Sequence, residues 1–309
     1  MHLPHRAATL LLAGAIASVG LVGTAAAEDP DPLFIPWSAL LPGLTGPYEP
    51  SSANLCNRGD LRCVNALLRE MNRRFEPLAA ACDHDAVFAL TYLRTTEEFR
   101  EASTTPGFFS DPPFLNHEAA VFASYYFEAY DDWHGGRRGE VPQAWRVSLD
   151  AADRRQVSAA GNLLLGLSAH VNRDLPYVLE AIGLVKPDGS SRKPDHDKVD
   201  EFLNRVTGPL IAEVARRFDP SVNGTNVQGT TLDETTLFQL IATWREEAWR
   251  NAELLAAAST PAARALVAET IEATATTKQL ALKADTAYVP PLTSSATRDA
   301  WCAQHWDDA

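Results

Sequence analysis

Apolar residues recur at three- and four-residue intervals along nearly the whole chain from Asp60 to Asp285. No alternating apolar–polar run bounded by Asn-Gly or Asp-Gly turns interrupts them. A chain patterned this way buries its apolar stripes by packing helix on helix, and it offers no strand with one face to the core. The reading is therefore all-α: a single multi-helix bundle of about seven or eight helices over residues 60–309, preceded by an extended Pro/Gly-rich arm at 28–59. Asp60 is placed to cap a first helix through Val64, Leu67, Leu68 and Met71 to Phe75, which Pro77 interrupts. A second helix runs from Asp83 through Val87, Leu90 and Leu93 to Phe99, and a third over Phe114–Trp133 stops at Gly135-Gly136. A long helix is expected from Asp150 to Arg173, with a restart at Asp174-Leu175-Pro176 that Asp174 can cap. The next runs from Asp195 to Phe218 with Gly208-Pro209 as a kink, and two more cover about 232–258 and 261–285, where Thr260 caps and Pro261 opens the last.

Residues 1–27 have the make-up of a signal peptide. Arg6 supplies the one fixed charge, Ala7–Gly23 is an uncharged apolar run, and Ala25-Ala26-Ala27 offers the small residues of a cleavage site. The reading is a secreted or extracytoplasmic protein with no transmembrane segment after cleavage. Removing Met1–Ala27 deletes one Arg and no acid, so the net charge goes from −13 to −14. Such a chain is repelled by phosphate surfaces, which argues against nucleic acid as a partner. Four cysteines in an exported chain read as two disulfides. Proximity favours Cys56–Cys63 and elimination leaves Cys82–Cys302.

The segment Gly161–Asp174 is apolar on all sides, which marks a central helix, and its two glycines, Gly161 and Gly166, point to close packing. Within it His170 and Asp174 stand four residues apart, on one helical face. An imidazole and a carboxylate so spaced can clamp a divalent metal ion or form an acid–base pair. The third helix carries a stripe of His117, Val121, Tyr125, Glu128 and Asp132 with Glu118 beside it, so His117 and Glu118 are candidate further metal ligands. Asp83-His84-Asp85 and Asp195-His196-Asp197 read as helix starts, and Arg245 is expected to stack on Trp249 one turn on. Nucleophile-elbow, zincin, P-loop and dinucleotide motifs are lacking.

Three stretches carry a resemblance: Cys82–Arg94, Ser168–Pro176 with the pattern A-H-[IV]-N-x-D-L-P at Ala169–Pro176, and Trp244–Trp249. Together they resemble an actinobacterial family known by a numbered domain of unknown function. The resemblance spans roughly 60–285; it implies a helical domain, singles out Ala169–Leu175 and brings no activity with it. At His170 and Asp174 alone the chain is also weakly similar to helical zinc-dependent phospholipases C. Two functions stand against each other. One is an exported metal-dependent hydrolase in which His170 and Asp174, with His117 and Glu118, hold a divalent ion that activates water. The alternative is a non-catalytic helical module that binds an apolar small molecule or a cell-envelope partner.

Overall fold

The computed structural model describes residues 35–222 and 234–308; Met1–Ala27, expected as a signal peptide, and the start of the arm lie outside them. Among the described residues a single turn, α1 (Trp37–Leu40), is followed by ten helices of eight residues or more. These are α2 (Leu61–Ala80), α3 (Ala86–Thr104), α4 (Pro112–His134), α5 (Gln143–Asp153), α6 (Ala159–Ser168), α7 (Leu175–Ile182), α8 (Lys193–Arg217), α9 (Glu234–Ala257), α10 (Pro261–Asp285) and α11 (Ser295–His305). Among the described residues there is no strand, only two isolated bridges. None of the helices is long and apolar enough to cross a membrane.

The helix boundaries follow the local chemistry. Asp60 accepts from the Arg62 N–H at the start of α2, Asp111 from Phe114 at α4, Ser158 from Gly161 at α6 and Thr260 from Ala263 at α10. Pro77 sits in the last turn of α2 and Pro209 inside α8, and both helices continue past them. There are more helices than seven or eight for two reasons. The stretch expected as one helix from Asp150 to Arg173 is two: α5 ends at Asp153, Arg155 takes a positive φ of 52°, and Ser158 caps α6. The second reason is α11, which the sparse apolar pattern of Ser295–His305 did not announce.

Between α6 and α7 the backbone widens into a six-residue π-helical segment, Ala169–Asp174, where the Leu175 N–H bonds to His170 O five residues back. Pro176, which has no N–H to donate, follows directly. This segment touches α4, α5, α6, α7, α9 and α10 and so lies at the centre of the bundle. Close packing around it requires glycine. A Cβ at Gly166 would stand 2.3 Å from carbons of the Phe88 ring, and one at Gly161 would stand 2.5 Å from Thr286 Oγ1.

The two disulfides are Cys56–Cys63 and Cys82–Cys302. The first closes the turn before α2; the second ties α11 to the loop between α2 and α3, across 220 residues of sequence. Beside it, Arg298 of α11 donates to Asn162 Oδ1 and contacts His84, whose other ring nitrogen meets Asp299. His84 thus serves to dock the C-terminal helix. Two disulfides and the lack of a membrane-spanning helix among the described residues are compatible with an extracytoplasmic location.

Candidate functional site: a cavity with one polar corner

Helices α3, α4, α8 and α9 and the π segment line a cavity of about 120 Å³. Its walls are mainly aromatic and aliphatic, among them Phe88, Phe99, Phe122, Phe202, Leu210 and Leu237. That volume is comparable to the roughly 150 Å³ apolar cavities that stay dry and admit a benzene ring. Four ionisable side chains border it: Tyr92, Glu118, His170 and Arg245.

His170 and Asp174 meet, but each also has other neighbours that decide its role. Asp174 is fully buried and accepts three hydrogen bonds: from Trp145 Nε1 at 2.8 Å and His170 Nδ1 at 3.1 Å on Oδ2, and from Arg173 at 3.0 Å on Oδ1. Both of its oxygens are therefore engaged, and its side chain makes no cap bond to α7. The helix-cap role expected for Asp174 is thereby corrected: the carboxylate turns inward to three donors. The bond to Asp174 fixes His170 with the proton on Nδ1, leaving Nε2 as an acceptor that meets no partner among the described residues. Burial pushes the His170 pKa down and outweighs the pull of Asp174, so the ring stays neutral. The imidazole lies flat on Phe122, centroids 3.5 Å apart and planes 3° from parallel, and its edge meets Tyr92 at 4.6 Å.

His117 and Glu118 go separate ways although they are neighbours in sequence. His117 Nδ1 lies 3.1 Å from Cys56 O and Nε2 2.9 Å from Gly46 O, so this imidazole fastens the N-terminal arm to α4. The structure does not bring it to His170. Glu118, one residue on and four before Phe122, faces the cavity that His170 also lines. It is 9% exposed and accepts no hydrogen bond among the described residues. The other four buried acids there all have donors: Asp85 has His134, Asp174 has Trp145, Asp195 has Ser110, and Asp219 has Ala159. Without such help desolvation dominates, and the Glu118 carboxyl is pushed up to about 7 despite the opposing fields of Arg245 and Arg192.

Arg245 reaches the cavity from α9. Its expected stack on Trp249 is not formed. Instead Nε donates to Asp200 at 2.7 Å and Nη2 to His196 O at 2.6 Å, while Trp249 packs against the His196 ring at 5.1 Å. These partners lie at the start of α8 and compete successfully for the guanidinium because they bury it with hydrogen bonds. Arg245 Nη1 makes no hydrogen bond among the described residues, whereas Nε and Nη2 do. The sequence stripe on α4 pointed at His117; the cue that would have found the cavity is the Glu118–Phe122 pair, an acid and an aromatic on one face.

Among the described residues, one other set of groups could hold a metal ion. Asp85, His134 and Asp153 have ligand atoms within 4.8 Å of one another. Asp85 Oδ2 is 3.0 Å from His134 Nε2, and Asp153 Oδ2 already accepts from Trp133 Nε1 and Arg138, both at 2.9 Å. The acids at the end of α4 have arginines: Asp131 pairs with Arg74 and Asp132 with Arg137.

Fold and site together define a class: an all-helical domain wrapped around a small apolar cavity and tied at its end by a long-range disulfide. Within that class the chain belongs to the family of unknown function DUF5995, whose model matches residues 64–284. No curated protein and no solved structure matches it significantly.

Proposed function

We propose that this domain is a binding module that takes up a small apolar molecule in the cavity between α3, α4, α8 and α9. The observation that carries the reading is the cavity itself, a ring-sized space lined by aromatic and aliphatic side chains. The hydrolase reading would need His170 and Asp174 to converge on one ion. The arrangement favours the alternative, because Asp174 spends both oxygens on Trp145, Arg173 and His170, and His170 turns Nδ1 toward Asp174. His117 is engaged by two carbonyls of the arm, which takes away the third ligand of that set. Export from the cytoplasm, with cleavage after Ala27, fits the n-region, apolar run and Ala25-Ala26-Ala27 site together with the two disulfides.

A neutral ring-sized probe tests the binding reading. Saturating toluene is expected to raise the melting temperature of the wild-type protein and to leave Ala119→Leu unmoved, because Ala119 borders the cavity and a larger side chain fills it. No shift in the wild type would refute the binding module. A stoichiometric divalent ion that is lost on His170→Ala would restore the hydrolase.

A further inference from the structure

The cavity is apolar except at one corner, and that corner is chemically incomplete. Glu118 is the one buried acid among the described residues that accepts no hydrogen bond. Arg245 borders the same space and leaves Nη1 without a partner, while Asp200 and His196 hold its other nitrogens in place. The two feel each other's charge, form no ion pair and border the same cavity. Neither Glu118 nor Arg245 Nη1 has a hydrogen-bond partner among the described residues, so both are available to a group in the cavity. A ligand that completes the corner must therefore accept from Arg245 and also share a hydrogen bond with Glu118.

We infer that the cavity takes a small aromatic carboxylic acid, its ring among Phe88, Phe122 and Phe202 and its carboxyl between Glu118 and Arg245. This inference builds on the binding-module reading above. The competing chemistries each leave one group unserved. An ammonium ion would satisfy Glu118 but would face the fixed charge of Arg245. A neutral hydrocarbon would serve neither side chain. A carboxylate accepts from Arg245 Nη1, and it accepts from Glu118 too when Glu118 carries a proton, so that the two carboxyl groups share one proton beside one guanidinium. The volume limits the apolar part to about one ring.

Binding then depends on the proton on Glu118. The groups that act on it are Arg245 from α9, Arg192 just before α8 and Asp195 within it. Tyr92 from α3 and His170 from the π segment border the same cavity, Tyr92 as a neutral phenol and His170 as a neutral imidazole. Burial holds Glu118 neutral up to about pH 7. Above that, a bound carboxylate would meet a second negative charge unless a proton is taken up.

The test uses three probes on the full chain, benzoate, toluene and benzylamine, titrated by ligand-observed NMR between about pH 6 and pH 8.5. Benzoate is expected to bind at least about tenfold tighter than benzylamine at the lower pH, and its Kd to rise by about tenfold per pH unit once Glu118 ionises. Glu118→Gln keeps a donor without the charge, so it is expected to bind benzoate with an affinity independent of pH over that range. If toluene binds but benzoate does not, or if Glu118→Gln leaves the pH profile of benzoate unchanged, the acid inference fails while the cavity remains a binding site. If none of the three binds, the binding-module reading itself has failed.

Discussion

Replacing Glu118 by Gln should make this protein more stable at alkaline pH, against the usual cost of altering a buried residue. In the unfolded chain the carboxyl releases its proton near the ordinary 4.5, and in the folded chain it holds it to about 7. Between those values the folded state binds more protons than the unfolded one, so the stability from this group falls as pH rises through the window. Above about pH 7 the full penalty is present, about 3 kcal/mol at 1.36 kcal/mol per tenfold change. The amide is close in shape and carries no charge to desolvate, so the variant escapes that penalty. Urea unfolding of both proteins at about pH 5 and pH 8 measures it. The expected result is near-equal stability at the lower pH and a variant more stable by up to about 3 kcal/mol at the higher. Taking the difference between the two proteins cancels the buried histidines His84, His117, His170 and His196. Their pKa values lie below the ordinary 6.5 through burial, and they weaken both proteins alike as pH falls. A variant less stable than the wild type at both pH values would refute the reasoning, since Glu118 would then have a partner worth more than its desolvation.

Other perturbations read other parts of the frame. Asp174→Asn removes the charge that receives Trp145, His170 and Arg173, and is expected to cost about 2–4 kcal/mol in urea unfolding. A loss under about 0.5 kcal/mol would mean that the three donors do not depend on the carboxylate. Gly166→Ala drives a methyl group into the Phe88 ring, with an expected loss of about 1–3 kcal/mol and weaker toluene binding, checked by the same unfolding and titration assays. Reducing or replacing Cys82–Cys302 opens a very long loop and is expected to cost about 3–5 kcal/mol, read from the shift in urea midpoint. Intact-mass measurement of exported protein is expected to give an N-terminus at Glu28, and retention of Met1–Ala27 would count against export by cleavage.

What the sequence disclosed depends on how local the cause is. Helix α10 is legible to the residue because Thr260 and Pro261 announce its start, and both disulfides follow from four cysteines of which Cys56 and Cys63 lie close in sequence. The break between α5 and α6 is hidden because Leu149, Ala151, Val157 and Ala159 keep an apolar pattern across it; only the cap at Ser158 betrays it. The pairing of His170 with Asp174 is likewise local, four residues apart. Their further partners are not: Trp145 and Phe122 come from other helices, and nothing in spacing along one helix reports which neighbour faces it. His117 shows the same limit. Its stripe on α4 is real, yet the face it occupies is covered by the N-terminal arm, whose Cys56 and Gly46 carbonyls lie 61 and 71 residues away. Arg245 exchanged the partner one turn away for Asp200 and His196 on α8, since burial rewards several fixed acceptors over one aromatic face.

Two departures from local ideality border one space, and a third, Gly166, packs against Phe88 in its wall. Gly166 weakens an apolar helix by about 1 kcal/mol relative to Ala, and it is there to let the ring of Phe88 in. The π segment replaces α-helical geometry over Ala169–Asp174, and it carries His170 and Val171 into the cavity wall. Glu118 lies buried without a hydrogen bond, while elsewhere in the core Asp195 gathers Ser110 and Asp111, and Arg298 gathers Asn162 and His84. Packing alone would favour filling the cavity and exchanging Glu118 for an apolar side chain. The other buried acids among the described residues all have donors, so the fold has the means to satisfy this one. That Glu118, the π segment and the contact of Gly166 with Phe88 meet at the cavity is the physical argument for placing function there.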